Sequence, residues 1–321
     1  MMKKSKVLIT RKLPEAAREI LTGKGYDVLI RDEERETLEE FLKSNLNSSD
    51  ALIPLLSDPI GKEVIDQAPN LRIIANYAAG YNNIDIDYAR SKGIVVTNTP
   101  DVLTNATADL TWALILSVAK RVTEGDRFVR DGKFSGWGPL LMLGAEITGK
   151  VIGIIGAGRI GQAVGRRAAG FEMSVLYTSN QKKQEFEQAT GAMRVDLEML
   201  LSRSDIISLH CPLTDETRHL IDKHAFSLMK KTVIFINTSR GPVVDESALA
   251  EALENSQIGG AGLDVYEFEP EITTSLLKLN NVILLPHVGS ATPETRTEMA
   301  RMAANNVIAV LENKAALNPV W

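Results

Sequence analysis

Three residues of this 321-residue chain have side chains suited to proton transfer and anion binding, and each follows a run typical of a buried strand. Arg240 follows residues 233–237, Glu269 follows the run at 261–265, and His287 follows residues 282–285. A histidine beside a carboxylate is held in one orientation, its pKa is raised, and it can protonate a carbonyl oxygen. A nearby arginine can bind an acid group with two hydrogen bonds and polarise the carbonyl. The three residues therefore predict proton transfer to the carbonyl of a small acid.

Each of these residues also has a purely structural interpretation. A lone histidine after a strand is usually structural, with Pro286 ending the strand, and a lone arginine is usually a surface charge. Glu269 lies among Glu267 and Glu271, so any of the three can belong to a solvated face. The catalytic interpretation gains weight because Arg240, Glu269 and His287 all follow strands of one predicted sheet, at the edge where such sheets bind ligands.

A glycine-rich turn indicates what that sheet binds. Gly156, Gly158 and Gly161 have the spacing G-x-G-x-x-G, after the apolar run 151–155 and before a run of small, helix-forming residues. The first glycine allows a tight turn, the second lets the backbone approach a pyrophosphate, and the third lets the helix pack on the strand. The N–H groups at the helix start, over Arg159 and Ile160, would hold the phosphates. A glycine turn that binds nothing is the alternative, but the strand before it and the helix after it favour a dinucleotide site.

The elements that must position these residues alternate along the chain. The first hundred residues predict five strands, at 6–10, 27–30, 50–54, 71–76 and 94–98, separated by helices. The second half predicts about six, at 151–155, 174–177, 206–209, 233–237, 260–264 and 282–285. A long helix at 101–119, capped by Asp101, lies between the two sets, and an amphipathic helix at 293–311 is expected to return to the first. The predicted fold class is α/β, with two Rossmann-like doubly wound parallel-sheet domains and an expected cleft between them.

Composition excludes several classes of protein. The net charge of −5 carries no basic block, which argues against nucleic-acid binding. No apolar run is long enough to span a membrane, and residues 7–9 are too short for the apolar part of a signal peptide. The single cysteine, Cys211, forms no internal disulfide and suits the cytoplasm. His210, His219 and His224 do not gather with other ligands at metal-binding spacing, so no metal is predicted.

Residues 132–139 contain three glycines, Pro139 and two aromatic residues, Phe134 and Trp137. This composition is poor for a core element. It fits an arm that packs on a second subunit, and it fits a plain surface loop equally well.

Four ordered motifs resemble the D-isomer-specific 2-hydroxyacid dehydrogenases. They are the glycine turn at 156–161, Asn-Thr-Ser-Arg-Gly at 237–241, Gly-Leu-Asp-Val at 262–265 with Glu269-Pro270, and Pro-His-Val-Gly-Ser-Ala at 286–291. Residues 78–80, 99–104 and 136–140 look most like those of the glyoxylate/hydroxypyruvate reductases in that family. The resemblance implies that His287 is the proton donor, Glu269 its partner, and Arg240 the anchor of the substrate's carboxylate and carbonyl.

The resemblance also implies an architecture and a set of contacts. Residues 1–99 and 292–321 would form a flavodoxin-like substrate-binding domain, and residues 100–291 an NAD(P)-binding Rossmann domain with a dimerisation arm at about 120–148. A homodimer is expected. The expected substrate contacts are Leu55, Ser57, the N–H groups of Ala79 and Gly80, Arg240, and Trp137 reaching into the partner subunit's site. The expected cofactor contacts are Thr107, Gly156, Gly158, Arg159, Ile160, Gly161, Thr178, Ser179, Asn180, Lys182, Cys211, Pro212, Thr217, Thr238, Ser239, Asp264, His287 and Gly289.

The residues after the second strand of this domain indicate the cofactor. A NAD enzyme has an acidic residue there to accept hydrogen bonds from the ribose. Thr178 stands where the family's Asp would be, and Ser179, Asn180, Lys182 and Lys183 suit a 2′-phosphate. NADP-preferring relatives often have Arg at the position of Asn180, from which this chain departs. The sequence predicts that NADP(H) is preferred and that NAD(H) is possible.

The predicted function is NADPH-dependent reduction of glyoxylate or hydroxypyruvate to glycolate or D-glycerate. One alternative is a reductase of the same family for larger 2-keto acids, such as 2-ketoaldonates. Another is a nucleotide-sensing interaction protein without activity, against which the presence of Arg240, Glu269 and His287 argues.

Overall fold

The computed structural model describes residues 4–321, which divide into two compact units. The first contains the described residues up to Leu103 together with Ser290–Trp321, and the second contains Thr104–Gly289. These divisions lie within four residues of the expected domain boundaries at 99 and 292. No helix among residues 4–321 has the length and apolar character needed to cross a membrane.

The first unit contains a parallel five-stranded sheet in the order β2-β1-β3-β4-β5. Apolar residues of these strands, among them Leu8, Leu52, Ile74 and Val96, are buried in one cluster, which explains why the strands read as continuous apolar runs. The strands are β1 Lys6–Ile9, β2 Asp27–Ile30, β3 Ala51–Ile53, β4 Ile73–Ala75 and β5 Val95–Thr97. The helices between them are α1 Ala16–Gly23, α2 Leu38–Asn45, α3 Lys62–Ile65 and α4 Ile86–Ser91.

The second unit contains seven parallel strands in the order β12-β11-β10-β9-β6-β7-β8. The strands are β6 Val151–Ile155, β7 Ser174–Thr178, β8 Met193–Arg194, β9 Ile206–Leu209, β10 Ile234–Asn237, β11 Gly260–Leu263 and β12 Val282–Leu284. The helices are α5 Thr104–Ala119, α6 Val122–Arg130, α7 Arg159–Ala168, α8 Gln184–Thr190, α9 Leu197–Arg203, α10 Lys223–Leu228 and α11 Glu246–Glu254. The strand order reverses between β6 and β9, so this sheet has the doubly wound topology that was predicted.

Three local expectations differ from the structure. β8 is a seventh strand of only two residues, too short to show a pattern. The long helix α5 begins at Thr104 and not at residue 101, where Asp101 has a left-handed backbone with φ +69°. The last helix, α12 Pro293–Leu311, has the predicted bounds and packs on α1 and β4 of the first unit. Residues 306–311, the last third of the helix, are all buried, and Asn306 among them accepts hydrogen bonds from the N–H groups of Leu317 and Asn318, so this third is not amphipathic.

The arm segment at residues 120–148 belongs to the second unit and exposes several large apolar side chains. Trp137 is 86 % exposed and Leu140 is 80 % exposed. Val122, Val129, Phe134 and Leu143 are also exposed.

Candidate active site

The glycine turn has the geometry that a bound pyrophosphate needs. Gly156 ends β6 with φ +97°, and a Cβ there would lie 2.4 Å from the backbone nitrogen of Cys211. A Cβ on Gly161 would lie 2.2 Å from the Gly156 carbonyl oxygen. Gly158 is the N-cap of α7, where no side chain caps the helix and a Cβ would meet nothing within 4 Å. The start of α7 is therefore open on the side of Gly158, and a helix start of this kind fits a phosphate group.

The end of β7 is hydrogen-bonded to this turn, and the residues there are the ones expected to distinguish NADP(H) from NAD(H). The Gly156 N–H donates to the Thr178 carbonyl at 2.9 Å. Ser179 Oγ donates to the Gln181 carbonyl at 2.6 Å, and Lys182 forms an ion pair with Glu187 at 3.2 Å. No acidic side chain occupies positions 178–183.

Arg194 is a residue of this region that the sequence analysis missed. It lies on β8 and pairs with Tyr177 of β7. Its Nε donates to the Ser179 carbonyl at 3.1 Å and its Nη2 to the Asn180 carbonyl at 3.3 Å. An exposed guanidinium therefore lies against the loop where a ribose 2′-phosphate would be recognised. The signal that could have found it is the pairing of β8 with β7, which two residues of strand do not reveal.

The other expected cofactor contacts gather near the carboxyl ends of β9, β10 and β12. Cys211 lies against Gly156, and Thr217 Oγ1 donates to the Pro212 carbonyl at 2.7 Å. Thr107 Oγ1 donates to the Gly289 carbonyl at 3.1 Å. Two further links join this region: the hydroxyls of Thr111 and Thr238 are 3.0 Å apart, and Ser239 bonds to Asn237 Oδ1 through its N–H and its hydroxyl.

Glu269 and His287 form a hydrogen-bonded pair. His287 Nδ1 lies 2.9 Å from Glu269 Oε2, and Glu269 Oε1 accepts from the Tyr266 N–H at 3.0 Å. His287 has a left-handed backbone with φ +53°. The buried carboxylate of Asp264 holds the next residues in place, accepting from the N–H groups of Val288 at 2.7 Å and Gly289 at 2.8 Å. The Glu269 carboxylate therefore orients the ring of His287, and the Asp264 carboxylate fixes the backbone that follows it.

The electrostatics of this pair keep Glu269 ionised. Burial by itself raises the pKa of Glu269, but the hydrogen bond and charge of His287, the Tyr266 N–H and the charge of Arg240 outweigh it, so the net pKa lies below its usual range. Burial raises the pKa of Asp264, against the two N–H groups that it binds and the charge of His287. A carboxylate beside Nδ1 leaves Nε2 as the ring nitrogen that is free for a substrate.

Arg240 follows β10, and its buried Nε is a hydrogen-bond donor that a ligand could use. Its Nη1 donates to the Ser239 carbonyl at 2.6 Å, whereas its Nε is buried with no hydrogen-bond partner among residues 4–321. Burial lowers the pKa of Arg240 and the charge of Glu269 raises it, and a guanidinium stays protonated in either case. A substrate carboxylate or carbonyl would satisfy the Nε donor.

In the first unit, the backbone carbonyls of two expected substrate contacts accept hydrogen bonds from asparagine side chains. Asn98 donates to the Ala79 carbonyl at 2.6 Å and Asn76 to the Gly80 carbonyl at 2.8 Å. The N–H groups of Ala79 and Gly80 make no hydrogen bond within the described part of the chain. Leu55 is fixed by Asp58 and Asn83, and Ser57 beside it is exposed.

Known proteins are similar to this chain over almost its whole length. Residues 112–289 match the family described as D-isomer specific 2-hydroxyacid dehydrogenase, NAD binding domain. The chain belongs to that family. A glyoxylate reductase from Thermococcus litoralis is 49 % identical over 321 residues, which cover 99 % of this chain and 97 % of the relative.

Solved structures of the family have the same fold. A crystal structure of a protein from Thermus thermophilus is 42 % identical with a TM-score of 0.92, covering 98 % of this chain and 100 % of that one. The NADPH-dependent glyoxylate/hydroxypyruvate reductase of Sinorhizobium meliloti, solved with NADP and malonate, is 30 % identical with a TM-score of 0.88, covering 99 % and 97 %. The predicted family, its closeness to the glyoxylate reductases and the α/β fold with two parallel sheets are confirmed. The chain is an oxidoreductase, a D-2-hydroxyacid dehydrogenase that uses a nicotinamide cofactor.

Proposed function

We propose that this dehydrogenase reduces glyoxylate or hydroxypyruvate to glycolate or D-glycerate with NADPH, and that His287 donates the proton. The observation that carries the proposal is the His287–Glu269 hydrogen bond at 2.9 Å, together with an arginine whose buried Nε has no hydrogen-bond partner among residues 4–321. A small acid with a carbonyl next to its carboxylate has the groups that these residues can bind. The similar proteins named glyoxylate reductase support the choice of acid.

In this proposal, Arg240 binds the substrate, and His287 and Glu269 carry out the proton transfer. Arg240 binds the oxygen atoms of the acid and stabilises the negative charge that develops on the carbonyl oxygen. His287 gives that oxygen a proton from Nε2, while Glu269 stabilises the positive imidazolium before the transfer. The hydride is the chemistry that the bound nicotinamide supplies.

The preference for NADPH rests on the charge around the loop after β7. An acidic side chain there would repel a 2′-phosphate, and positions 178–183 have none. The hydroxyl of Thr178 and the remaining N–H groups of the Arg194 guanidinium offer donors to a phosphate instead, and Ser179 adds one when its hydroxyl turns away from the Gln181 carbonyl. Lys182 contributes less, because Glu187 already neutralises it.

The remaining expectations belong to the same proposal. The N–H groups of Ala79 and Gly80, which make no hydrogen bond among the described residues, are suited to bind the substrate's carboxylate, with Leu55 and Ser57 in the same unit. The exposed apolar side chains of the arm segment support a homodimer in which Trp137 reaches the partner's site. Cys211 is a buried free thiol, as expected of a cytoplasmic protein.

An absorbance assay of cofactor oxidation tests the substrate and the cofactor together. We expect kcat/KM to be higher with glyoxylate and hydroxypyruvate than with pyruvate or a 2-ketoaldonate, and higher with NADPH than with NADH. Faster turnover of the 2-ketoaldonate would contradict the proposed substrate, and a higher kcat/KM with NADH would contradict the proposed cofactor. No turnover with any acid would favour the nucleotide-sensing alternative.

A further inference from the structure

The loop that carries Glu269 is held by a buried carboxylate that has no place in the proposed chemistry. Glu246, the first residue of α11, is 4 % exposed. Its Oε2 accepts a hydrogen bond from the Glu267 N–H at 2.8 Å, and its Oε1 accepts one from the Thr273 N–H at 2.7 Å. One side chain therefore binds the loop on both sides of Glu269.

Glu267 binds α11 and His219 in return. Its Oε2 accepts from the Glu246 N–H at 3.1 Å, and its Oε1 lies 2.5 Å from His219 Nε2. The side chain of Glu267 is 9 % exposed, whereas the next residue, Phe268, is 67 % exposed. The base of the loop is therefore tied to the protein while its tip is open to solvent.

The segment that carries Arg240 is packed against the same base. A Cβ on Gly241 would lie 1.8 Å from the Tyr266 carbonyl oxygen and 2.4 Å from the Glu267 nitrogen, so the two backbones are in contact. Residues 240–246 thus run from the guanidinium to the carboxylate that holds the loop. The positions of Arg240 and Glu269 are linked through this contact and through Glu246.

We infer that Glu246 is a positioning residue, which holds the loop so that Glu269 Oε2 faces His287 Nδ1. The inference rests on the proposed roles of Glu269 and His287. A carboxylate suits this position because both of its oxygens accept from N–H groups. An amide would turn its NH2 group toward one of those two donors and lose that bond.

Other charged groups also face the pair. Arg240 and Asp264 act on Glu269 and His287 through their charges. The Tyr266 hydroxyl donates to the Leu285 carbonyl at 2.8 Å. None of these three side chains hydrogen-bonds to Glu246 within residues 4–321. A substitution at 246 therefore tests only the hydrogen bonds by which Glu246 holds the loop.

The kinetic test compares Glu246→Gln with Glu251→Gln. Glu251 is on the same helix, but its half-exposed carboxylate pairs only with Lys223 in the described chain. For Glu246→Gln, kcat with glyoxylate is expected to fall by about tenfold to a hundredfold, the usual effect of misplacing a catalytic group. KM is expected to change much less, and Glu251→Gln to leave both constants unchanged. Wild-type kcat in Glu246→Gln overturns the inference.

A spectroscopic test separates positioning from a general loss of structure. The chain has 4 histidines, so ¹⁵N-histidine labelling gives a simple spectrum in which His287→Gln assigns the Nδ1–H signal. That signal is expected to shift or broaden in Glu246→Gln and to stay in place in Glu251→Gln. An unchanged signal in a folded Glu246→Gln overturns the inference, whatever kcat does. If Glu246→Gln does not fold, Glu246→Asp keeps the charge but is too short to reach both N–H groups, and it replaces Glu246→Gln in both tests.

The same variants distinguish failure of this inference from failure of the proposed function. Full turnover by His287→Gln would contradict the proposed proton donor. The Nδ1–H signal would still report whether Glu246 positions the pair.

Discussion

At the scale of single residues, one or two hydrogen bonds fix the position of each functional group in the site. One carboxylate oxygen of Glu269 orients the imidazole of His287, and the other is held by a backbone N–H. Asp264 holds the two residues after the histidine. Each of these bonds is short and local, so a change at any one of them should move the imidazole itself.

The residue types of this site could be predicted from the sequence, and their supporting contacts could not. Arg240, Glu269 and His287 each follow an apolar run, and a parallel sheet brings such positions to one edge. Glu246 and Arg194 follow no such rule, because their partners lie on other elements of the folded unit. The side chain of Glu269 is 36 % exposed and also hydrogen-bonded to His287, so it has features of both interpretations that the sequence left open, a solvated face and a catalytic pair.

Replacing Arg194 tests the choice of cofactor at one residue. For Arg194→Ala we expect KM for NADPH to rise by about tenfold, the value of one charge-assisted contact, while KM for NADH changes little. Steady-state kinetics with both cofactors measures this. Arg203→Ala, at an exposed position of α9, is the control and should alter neither constant. An equal effect on the two cofactors would mean that Arg194 supports the loop but does not select NADPH.

His210 should make the protein sensitive to acid. Its Nδ1 is buried without a partner among the described residues, and burial lowers the pKa of His210 from 6.5 to about 3. The folded state thus favours the neutral ring, so its contribution to stability is complete above pH 6.5 and is lost as the pH falls toward 3.

The free energy of unfolding should therefore fall faster with acid in the wild type than in His210→Gln. The expected difference is about 1.4 kcal/mol per pH unit at most, and it can be measured by urea unfolding at pH 7 and pH 5. If the two proteins lose stability equally between these pH values, His210 does not titrate as described.

At the scale of elements, the strand–turn–helix unit at β6 and α7 shows two different uses of glycine. Gly161 lets α7 lie on the turn, since a Cβ would overlap the Gly156 carbonyl, whereas the space beside Gly158 is open. Long apolar runs with glycine turns made these elements predictable. Short or locally unusual features, such as the two-residue β8 and the left-handed backbone of Asp101, could not be predicted from the sequence.

Two alanine substitutions should separate these uses. Gly161→Ala is expected to lower the free energy of unfolding by about 1–3 kcal/mol, because the helix must move away from the turn. Gly158→Ala has an allowed backbone and open space, so its thermal midpoint should stay near that of the wild type. Its affinity for NADPH should nevertheless fall, because the methyl group blocks the approach of a pyrophosphate.

Thermal unfolding and a fluorescence titration with NADPH measure the two effects. Gly170→Ala, where a Cβ also meets nothing within 4 Å, is the control for both. Wild-type NADPH affinity in Gly158→Ala would contradict the assignment of the phosphate site.

At the scale of the whole molecule, the alternation of apolar runs was enough to predict two parallel α/β sheets. The identity of the acid could not be predicted in the same way, because under the proposal it depends on the shapes of individual loops, such as the one at Leu55, and of the arm segment. Their shapes come from individual side-chain contacts, such as those of Asp58 and Asn83, and not from a repeating pattern.

The arm segment predicts how the chain assembles. Seven large apolar side chains, Leu141 among them, are exposed on the arm segment, which is unfavourable in water, and a second copy of the chain would bury them. We expect sedimentation at twice the mass of the 35.1 kDa chain, and at the mass of one chain for Leu140→Asp with Leu143→Asp. Leu277→Asp, at an exposed apolar position outside the arm, should leave the dimer intact. A monomeric wild-type protein would contradict the homodimer.

The most direct measurement for the central claim is the kcat of His287→Ala with glyoxylate and NADPH, at saturating concentrations of both. Loss of the general acid should lower kcat by about a hundredfold or more, with NADPH still bound at the glycine turn. If His287→Ala turned over as fast as the wild type, His287 would not be the proton donor and the proposed chemistry would be wrong.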